Sequence, residues 1–330
     1  KYMALALELA EKGAGFVGPN PMVGAVAVKE GRIIGTGYHK VYGQAHAERS
    51  ALADCRESPE GADLYVTLEP CCHQGKTPPC TEAIWQSRIA RVIVGSSDPN
   101  PLVAGNGIRI LREKGIEVVT GVLKDQCDRL NEVFFHYIST GTPYVVMKYA
   151  MTLDGKIASV SGASKWITGV EARQYVHQCR SRYSSVMTGV GTVLADDPML
   201  NCRIEGGRNP ARIVCDSNLR MPLKSRIAAT AKEIPTMLAC CRRDREREEA
   251  YQKCGIKIIH TAPKNGRVDL CELMKTLGEM GIDSIFMEGG GSLNWSSLES
   301  GIVNKVQAYI APKLFGGTGG KTPVGGCGVD

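Results

Sequence analysis

The sequence carries two short motifs in its first half, His46-Ala47-Glu48 and Glu69-Pro70-Cys71-Cys72-His73-Gln74-Gly75-Lys76-Thr77-Pro78-Pro79-Cys80. Imidazole and thiolate groups are preferred zinc ligands, and three of them leave a fourth position open for water. The metal lowers the pKa of that water, and a carboxylate outside the ligand set can carry its proton. Glu48, two residues after His46, is placed for this role.

This pattern is the zinc-deaminase arrangement, which predicts a hydrolase that removes an amino group from a pyrimidine-type ring. The ligand set stays open at this point. Most such enzymes place two residues between the cysteines, whereas eight separate Cys71 and Cys80. Cys72 and His73 therefore compete as ligands. A loop of thiols without metal is the other interpretation, and the combination of the two motifs argues against it.

Length and composition predict a soluble protein of two domains. The chain has 330 residues, 43% of them hydrophobic, and no apolar run long enough to span a membrane. A net charge of +6 suits a phosphorylated substrate or a weak attraction to nucleic acid. Thirteen cysteines without a secretory signal indicate thiols in a reducing cytoplasm. The glycine-rich tail, Gly316–Asp330, ends without a strand or helix, so we expect a truncated C-terminus.

Apolar runs that look like strands alternate with helical patterns, which predicts α/β architecture. In the first half the predicted strands are Val23–Lys29, Arg32–Gly37, Asp63–Thr67, Arg91–Gly95 and Glu117–Thr120, and the predicted helices are Ala47–Cys55, Pro79–Ser87, Gly107–Lys114 and Lys124–Tyr137. Glu30-Gly31 is the predicted turn of a hairpin. The breakers Ser139–Pro143 mark a domain boundary. In the second half the predicted strands are Tyr144–Met151, Ala211–Cys215, Thr236–Ala239, Ile256–Ile259 and Ser284–Met287, with helices at Val170–Cys179 and Leu293–Glu299.

Two glycine-rich stretches of the second half have the composition of phosphate-binding turns, Thr188-Gly189-Val190-Gly191-Thr192 and Glu288-Gly289-Gly290-Gly291-Ser292-Leu293-Asn294. Glycine lets the backbone approach a ligand, and free N–H groups at a helix start attract phosphate. Ordinary tight turns look the same, so each stretch is ambiguous alone. Neither half has Gly-x-Gly-x-x-Gly after its first strand, which argues against a Rossmann dinucleotide site.

Longer runs in both halves carry a family resemblance that covers nearly the whole chain. They are Asn20–Gly24, His46–Glu48, Thr67–Cys71, Gly75–Cys80, Asp98–Pro101, Lys148–Lys156, Ser164–Thr168, Gly189–Pro198 and Glu288–Gly291. These runs resemble the bifunctional riboflavin-biosynthesis deaminase–reductases. The resemblance implies a cytidine-deaminase-like three-layer α/β/α domain over residues 1–141 and a dihydrofolate-reductase-like α/β domain over residues 142–330. The family uses the wide cysteine spacing, which implies Cys71 and Cys80 as zinc ligands with His46.

For the first half, the resemblance implies deamination of 2,5-diamino-6-ribosylamino-4(3H)-pyrimidinone 5′-phosphate, whose 2-amino group is replaced by oxygen. It implies a substrate pocket lined by Asn20, Lys76, Asp98 and Asn100. Amides and carboxylates suit ring edges, and a lysine suits phosphate. Without the family, Asp98–Pro101 could equally be a simple turn.

For the second half, the resemblance implies NADPH-dependent reduction of the ribosyl group, which gives 5-amino-6-ribitylaminouracil 5′-phosphate. The implied NADPH-binding residues are Ala150, Trp166, Thr192, Asp196, Ser217, Gly290, Gly291, Ser292, Leu293, Asn294, Trp295 and Ser296. The implied substrate-binding residues are Ser164, Arg180, Leu200, Arg203 and Glu288. Arginines suit a 5′-phosphate. Trp166 by itself would be interpreted as a core residue. The proton source stays open between Lys148, Asp196 and water.

Two other functions compete with this interpretation. One is a deaminase of a free nucleobase or nucleoside fused to an unrelated NADPH reductase. The other is a nucleic-acid editing deaminase, which needs a basic groove interleaved with aromatic residues. Here basic residues are scattered and aromatic residues make up only 6% of the chain. We therefore expect phosphorylated pyrimidines as partners, no nucleic acid, no membrane, and a homo-oligomer (dimer or tetramer), which the family often forms.

Overall fold

The computed structural model describes residues 1–74, 78–100, 103–164 and 166–329. The chain falls into two units, Lys1–Gly141 and Thr142–Asp330, each built on its own sheet. Within the described ranges, every helix is too short or too polar to cross a membrane.

The first unit is an α/β sheet layer with helices on both sides. Its strands are β1 Gly24–Lys29, β2 Arg32–Tyr38, β3 Asp63–Leu68, β4 Arg91–Ser96 and β5 Glu117–Val119, and its helices are α1 Tyr2–Glu11, α2 Ala47–Ala53, α3 Cys80–Gln86, α4 Asn106–Glu113, α5 Lys124–Leu130 and α6 Glu132–Thr140. The order across the sheet is β2-β1-β3-β4-β5, with β1 antiparallel to β2 and β3, and β3, β4 and β5 parallel. The predicted hairpin is confirmed, because Glu30 and Gly31 have φ values of 51° and 76°.

Alternating side chains of β1 cover the two faces of this sheet. Ala25 and Ala27 pack in a core cluster that includes residues of α2, α3 and α4. Val26 and Val28 pack in a second cluster with residues of α1 and α5. Two helical layers therefore enclose the sheet, and the predicted three-layer arrangement is confirmed.

Helix α2 lies directly against the backbone of β2. A Cβ atom on Gly37 would lie 2.3 Å from the Ala51 nitrogen and 2.5 Å from the Ala47 carbonyl oxygen. Real Cβ atoms essentially never approach other heavy atoms below 3.0 Å, so a larger residue at Gly37 would displace the helix. This close packing fixes His46 and Glu48, which stand at the start of α2, relative to the sheet.

The single helix predicted over Lys124–Tyr137 is wrong. The chain forms α5 and α6 instead, and they are separated at Asn131, whose φ and ψ are −106° and 21°. The buried Asn131 amide donates to the Met22 carbonyl oxygen at 3.0 Å and accepts from the Met22 nitrogen at 2.9 Å. Two tertiary hydrogen bonds to the segment before β1 thus replace continuous helix at this residue.

The second unit is built on a parallel sheet. Its strands are β6 Tyr144–Thr152, β7 Ser185–Gly189, β8 Ala211–Cys215, β9 Thr236–Cys240, β10 Ile256–His260, β11 Pro263–Lys264, β12 Arg267–Val268, β13 Ser284–Met287 and β14 Lys305–Ala311, and its helices are α7 Val170–Arg182, α8 Val190–Asp196, α9 Arg226–Ala229, α10 Arg245–Lys253, α11 Leu270–Glu279 and α12 Gly291–Glu299. The main sheet has the order β10-β9-β8-β7-β13-β6-β14 with every pairing parallel, and β11 and β12 form a separate antiparallel hairpin. The carboxyl ends of parallel strands meet at one edge, where α/β proteins place their ligands.

The sequence analysis missed α11 and β14. Helix α11 had a readable signal, because Leu270, Leu273, Met274 and Leu277 recur at helical spacing and are buried. Asp269 caps it by accepting hydrogen bonds from the backbone nitrogens of Cys271 and Glu272. Strand β14 lies at the edge of the sheet, and most of its residues are exposed or half-buried, so it lacks the apolar run that identifies the inner strands.

Candidate active sites

Three zinc-type ligand atoms meet where α2 and α3 begin. The Nδ1 atom of His46 lies 3.4 Å from the Sγ atom of Cys71 and 3.4 Å from that of Cys80. The three ligand atoms all lie within 4.8 Å of one another. Zinc bonds of about 2.0 Å to nitrogen and about 2.3 Å to sulfur, at tetrahedral angles, separate the two donors by about 3.5 Å. The donor set and its geometry therefore fit zinc.

Local structure brings these ligands together from distant parts of the sequence. His46 is the N-cap residue of α2, Cys80 is the first residue of α3, and Cys71 lies just beyond the end of β3. The backbone nitrogen of Cys80 donates to the Cys71 sulfur at 3.4 Å. A hydrogen bond from the Cys80 thiol lowers the pKa of the Cys71 thiol. The shift favours the thiolate, the form of cysteine that binds metal.

The structure leaves Cys72 and His73 out of this cluster. Within the described ranges, His46, Cys71 and Cys80 form the one group of three or more potential ligands. His73 is exposed and lines the neighbouring cavity. The wide cysteine spacing is thus the one that converges on the histidine.

Glu48 lies beside the cluster, in the first turn of α2, and is 3% exposed. Burial, with a smaller contribution from the neighbouring Cys71, raises the pKa of its carboxyl group to about 7, although His46 opposes the shift. A carboxyl group that exchanges a proton near neutral pH suits general acid–base catalysis. Its position outside the ligand set agrees with the role predicted from the motif.

One cavity of the first unit connects the cluster to three of the four predicted substrate residues. Asn20, Asp98 and Asn100 line it together with His46 and Glu48. The fourth predicted residue, Lys76, lies outside the described residues. The Asn100 nitrogen donates to Asp98 Oδ1 at 2.8 Å, so this segment is also a side-chain-stabilised turn. The segment is therefore a turn that lies at the cavity wall, and the turn does not conflict with a role in binding substrate.

Glu69 is a buried residue whose role the sequence analysis missed. It is 3% exposed, and its carboxylate accepts hydrogen bonds from three backbone nitrogens, those of Asp98 at 3.3 Å, Gly105 at 3.0 Å and Ile108 at 3.2 Å. The same segment also packs closely on the chain after β3, because a Cβ atom on Gly107 would lie only 2.1 Å from the Pro70 carbonyl oxygen. Glu69 thereby fixes the segment that carries Asp98 against the end of β3. The signal was present in the quoted motif, as an acid directly after an apolar strand.

Replacing Glu69 by glutamine is expected to raise the KM of deamination more than it lowers kcat. The amide keeps the shape but has one acceptor oxygen, so at least one of the three N–H groups loses its partner. The Asp98 segment then loosens while the His46 cluster stays intact. Steady-state kinetics and zinc content measure this. An equal fall in kcat and kcat/KM with unchanged KM would show that Glu69 does not position the substrate pocket.

His39 is a second residue that the sequence analysis missed. It is buried, its ring lies edge-on to the His46 ring at 5.3 Å, and burial lowers its pKa. Its Nδ1 atom lies 3.1 Å from the Ala45 carbonyl oxygen, and its Nε2 atom lies 3.3 Å from Nδ2 of Asn20. Since a carbonyl only accepts, Nδ1 carries the hydrogen and Nε2 accepts from the amide. This arrangement orients the Asn20 amide at the cavity wall.

In the second unit the two glycine stretches line one cavity. Strand β7 passes directly into α8, so Gly191 lies in the first turn of that helix. A Cβ atom on Gly191 would meet no heavy atom within 4 Å, and one on Gly290 would lie 3.7 Å from Thr192 Oγ1. Of the predicted cofactor residues, the cavity is lined by Ser217, Ser292, Leu293 and Ser296. The first stretch lines the cavity with Gly189 and Gly191, whereas the second contributes Ser292 and Leu293, and its Gly291 packs against Thr322 and Gly325. The open backbone of the first stretch lets a ligand approach closely.

The remaining predicted cofactor residues have different surroundings. Asn294 is fully buried, donates from Nδ2 to the Pro323 carbonyl oxygen at 2.7 Å, and holds a buried Oδ1 atom with no hydrogen-bond partner within the described ranges. Trp295 lines a neighbouring cavity, whereas Asp196 is exposed at the end of α8 and Ala150 is half-buried in β6.

Trp166 is exposed, which makes its interpretation as a core residue wrong. Its side chain is 61% exposed, and the guanidinium of Arg173 lies 4.5 Å from its ring centroid. An exposed aromatic ring held by a cation is available to a ligand. Ser164, predicted to bind substrate, is half-buried in the segment just before it.

An ion cluster surrounds Glu288, the first residue of the second glycine stretch. The Arg180 guanidinium donates to both carboxylate oxygens of Glu288, at 2.6 and 3.0 Å, and to the Asn201 carbonyl oxygen at 3.0 Å. Lys148 Nζ lies 3.6 Å from Glu288 Oε2. Burial alone would raise the pKa of Glu288, but Arg180 and Lys148 hold it at about 2. Glu288 is therefore a carboxylate, and the two substrate residues predicted separately, Arg180 and Glu288, bind each other.

The last two predicted substrate residues, Leu200 and Arg203, lie in the segment that follows α8. Leu200 is 3% exposed, packs in a core cluster and has a φ of 51°. A substrate contact from Leu200 would therefore come from its backbone. Arg203 is exposed, and its Nε donates to Nε2 of His177 at 3.2 Å.

Comparison with known proteins gives consistent matches over both units. The family model for the cytidine and deoxycytidylate deaminase zinc-binding region matches residues 1–96, and that for the RibD C-terminal domain matches residues 143–330. The riboflavin biosynthesis protein RibD of Actinobacillus pleuropneumoniae is 55% identical over 328 residues, which is 99% of this chain and 87% of that protein.

Solved structures are similar over the same extent. The diaminohydroxyphosphoribosylaminopyrimidine deaminase/5-amino-6-(5-phosphoribosylamino)uracil reductase of Thermotoga maritima is 41% identical, with a TM-score of 0.88 over 98% of this chain and 88% of that chain. RibD of Acinetobacter baumannii is 38% identical, with a TM-score of 0.89 over 100% of this chain and 90% of that chain.

Proposed function

We propose roles for individual residues on the premise that this chain belongs to the family of bifunctional riboflavin-biosynthesis deaminase–reductases. It is a bifunctional enzyme, with a zinc-dependent deaminase unit followed by an NADPH-dependent reductase unit. The predicted fold class and family are confirmed. Membership of this family excludes the two competing functions, a nucleobase deaminase fused to an unrelated reductase and a nucleic-acid editing enzyme.

The first unit, in this proposal, deaminates 2,5-diamino-6-ribosylamino-4(3H)-pyrimidinone 5′-phosphate. The observation that carries it is the His46–Cys71–Cys80 cluster beside a buried Glu48 in one cavity. Bound zinc supplies Lewis acidity that activates water for attack on the ring carbon. Glu48 takes the proton of that water and gives it to the leaving amino group. Asn20, Asp98 and Asn100 orient the ring edges, and Lys76 meets the phosphate.

The second unit, in this proposal, uses NADPH to reduce the ribosyl group to ribityl. The cofactor would lie in the cavity lined by Ser217, Ser292, Leu293 and Ser296. The other predicted cofactor residues, from Ala150 and Trp166 to Trp295, would contact parts of it outside this cavity or support its walls. The guanidinium of Arg180 donates its hydrogen bonds to Glu288 and to the Asn201 carbonyl oxygen. We therefore assign Arg180 to holding Glu288 in place, and Arg203 to binding the sugar phosphate.

The proton that accompanies hydride transfer comes from Lys148 in this proposal. The Lys148 side chain is 16% exposed and lies beside Glu288, the first residue of the second glycine stretch. A carboxylate neighbour orients such an ammonium group. Asp196 is exposed at the end of α8, so we assign it to the cofactor.

Substitutions in the second unit are expected to separate cofactor binding from substrate binding. Changing Thr192 or Asp196 to alanine raises the KM for NADPH, whereas Arg203→Ala weakens binding of the sugar phosphate by about 1–3 kcal/mol because a charge-assisted hydrogen bond is lost. Steady-state loss of NADPH absorbance on the deaminated intermediate measures both constants. The reverse pattern would exchange the two ligand positions, and no NADPH consumption by the unaltered chain would contradict the reductase assignment.

The partners that we propose are these phosphorylated pyrimidines, with no nucleic acid and no membrane. A homo-oligomer, dimer or tetramer, is part of the proposal, and the exposed apolar side chains of Val306 and Ile310 on edge strand β14 support it. Light scattering on purified protein tests it. The thirteen cysteines are free thiols, which supports the proposed reducing cytoplasm.

A further inference from the structure

The cofactor cavity of the second unit carries two positive charges that the predicted cofactor residues do not explain. Arg220 and Arg267 are its charged lining residues within the described ranges, and its other lining residues are glycine, apolar or uncharged polar residues. No carboxylate lines the cavity there, and the nearest acid to Arg220 is the buried Asp216 behind its wall, 3.9 Å from the Arg220 Nε atom. A cavity with this charge distribution favours an anion with more than one negative charge.

Arg220 is placed by a turn that follows β8. The buried Asp216 accepts a hydrogen bond from the Met221 nitrogen at 2.7 Å, which closes the turn that carries Ser217 and Arg220. Arg220 Nε lies 3.9 Å from Asp216 Oδ1, which is too far for a hydrogen bond, and its side chain is 59% exposed. The guanidinium therefore keeps donors for a ligand.

Arg267 reaches the same cavity from the β11–β12 hairpin. Its Nη1 atom donates to Ser296 Oγ of α12 at 3.2 Å. The adjacent Val268 nitrogen donates to Ser217 Oγ at 3.1 Å, which ties the hairpin to the turn after β8. Two chain segments distant in sequence thus bring Ser217, Arg220 and Arg267 to one wall.

We propose that Arg220 and Arg267 bind the 2′-phosphate of NADPH and make this reductase select NADPH over NADH. The inference rests on the proposed placement of the cofactor between the glycine stretches. Planar guanidinium groups match phosphate oxygens with paired hydrogen bonds. The pyrophosphate is common to both cofactors and would lie at the first glycine stretch, so the two arginines would serve the one group that distinguishes NADPH. An arginine near this phosphate is a general solution for NADP recognition.

The test compares Arg220→Gln, Arg267→Gln and the double variant with the unaltered chain. Arg245→Gln is the matched control, because Arg245 is also in the second unit, is 93% exposed and pairs with Glu249 outside the cavity. Isothermal calorimetry measures the dissociation constants of NADPH, NADH, 2′,5′-ADP and 5′-AMP. We expect each single variant to weaken NADPH and 2′,5′-ADP by about 10- to 100-fold, the range of one charge-assisted contact, and to leave NADH and 5′-AMP unchanged.

Three results would overturn the proposal in distinguishable ways. Equal weakening of NADPH and NADH would place the pyrophosphate, not the 2′-phosphate, at the arginines. Unchanged binding of NADPH in the double variant would remove both residues from cofactor recognition. If the unaltered chain binds neither NADPH nor 2′,5′-ADP, the cofactor cavity itself is wrong and the arginine assignment falls with it.

Discussion

Replacing Glu48 by glutamine is expected to leave zinc in place and to slow deamination by about 10²–10⁴-fold, the usual contribution of a positioned acid–base group. Glutamine keeps the shape of the side chain but cannot take a proton from water. Zinc stays because His46, Cys71 and Cys80 supply the ligand atoms without the carboxylate. Ammonia release from the diaminopyrimidinone phosphate, together with metal analysis of the same sample, measures both effects.

Two controls make the Glu48→Gln result specific. Glu82→Gln removes a charge from the same unit, but Glu82 is a half-exposed residue of α3 that pairs with Lys114 away from the cavity, so deamination should stay normal. The Glu48 variant should also reduce the deaminated intermediate at the normal rate, because reduction occurs in the second unit. Near-normal deamination by the variant would mean that the proton is carried by another group.

Local patterns predicted most of the first unit. The hairpin of β1 and β2 follows from alternating apolar residues around Glu30-Gly31, since a two-residue turn with positive φ is a local property. The break at Asn131 was not predictable in this way. It depends on hydrogen bonds to Met22, which lies 109 positions earlier in the chain, and helical periodicity contains no information about such a partner.

The same distinction holds for the sites. His46 and Glu48 were predicted because two residues at the start of one helix carry both roles. The choice between Cys72 and Cys80 could not come from spacing, because it depends on where α3 begins relative to the end of β3. The pairing of Arg180 with Glu288 joins residues 108 positions apart, so the sequence suggested both residues but not that they bind each other.

Glu69 shows most clearly what the sequence alone could not predict. Its motif position was visible, but its partners are backbone nitrogens of a later segment, and backbone groups carry no sequence signal. Arg220 and Arg267 are similar, because each is an ordinary surface arginine until the hairpin and the turn place both on one cavity. Tertiary contacts, not residue types, define these roles.

Replacing Cys80 by serine is expected to remove zinc and abolish deamination. A serine hydroxyl stays protonated at neutral pH and is a poor zinc ligand, so two of the three donors remain. Metal content by atomic absorption and ammonia release give the two readouts, and normal reduction of the deaminated intermediate shows that the second unit is folded.

Cys72→Ser is the matched control for the Cys80 prediction. Cys72 is next to the ligand Cys71 but outside the cluster, and burial raises the pKa of its thiol rather than lowering it. The variant should therefore keep its zinc and most of its deaminase activity. Loss of zinc in Cys72→Ser, combined with full zinc occupancy in Cys80→Ser, would exchange the two cysteines and would require the metal to be held by adjacent residues of one loop. The 3.4 Å separation between His46 Nδ1 and the Cys80 sulfur supports Cys80, not Cys72, as the zinc ligand.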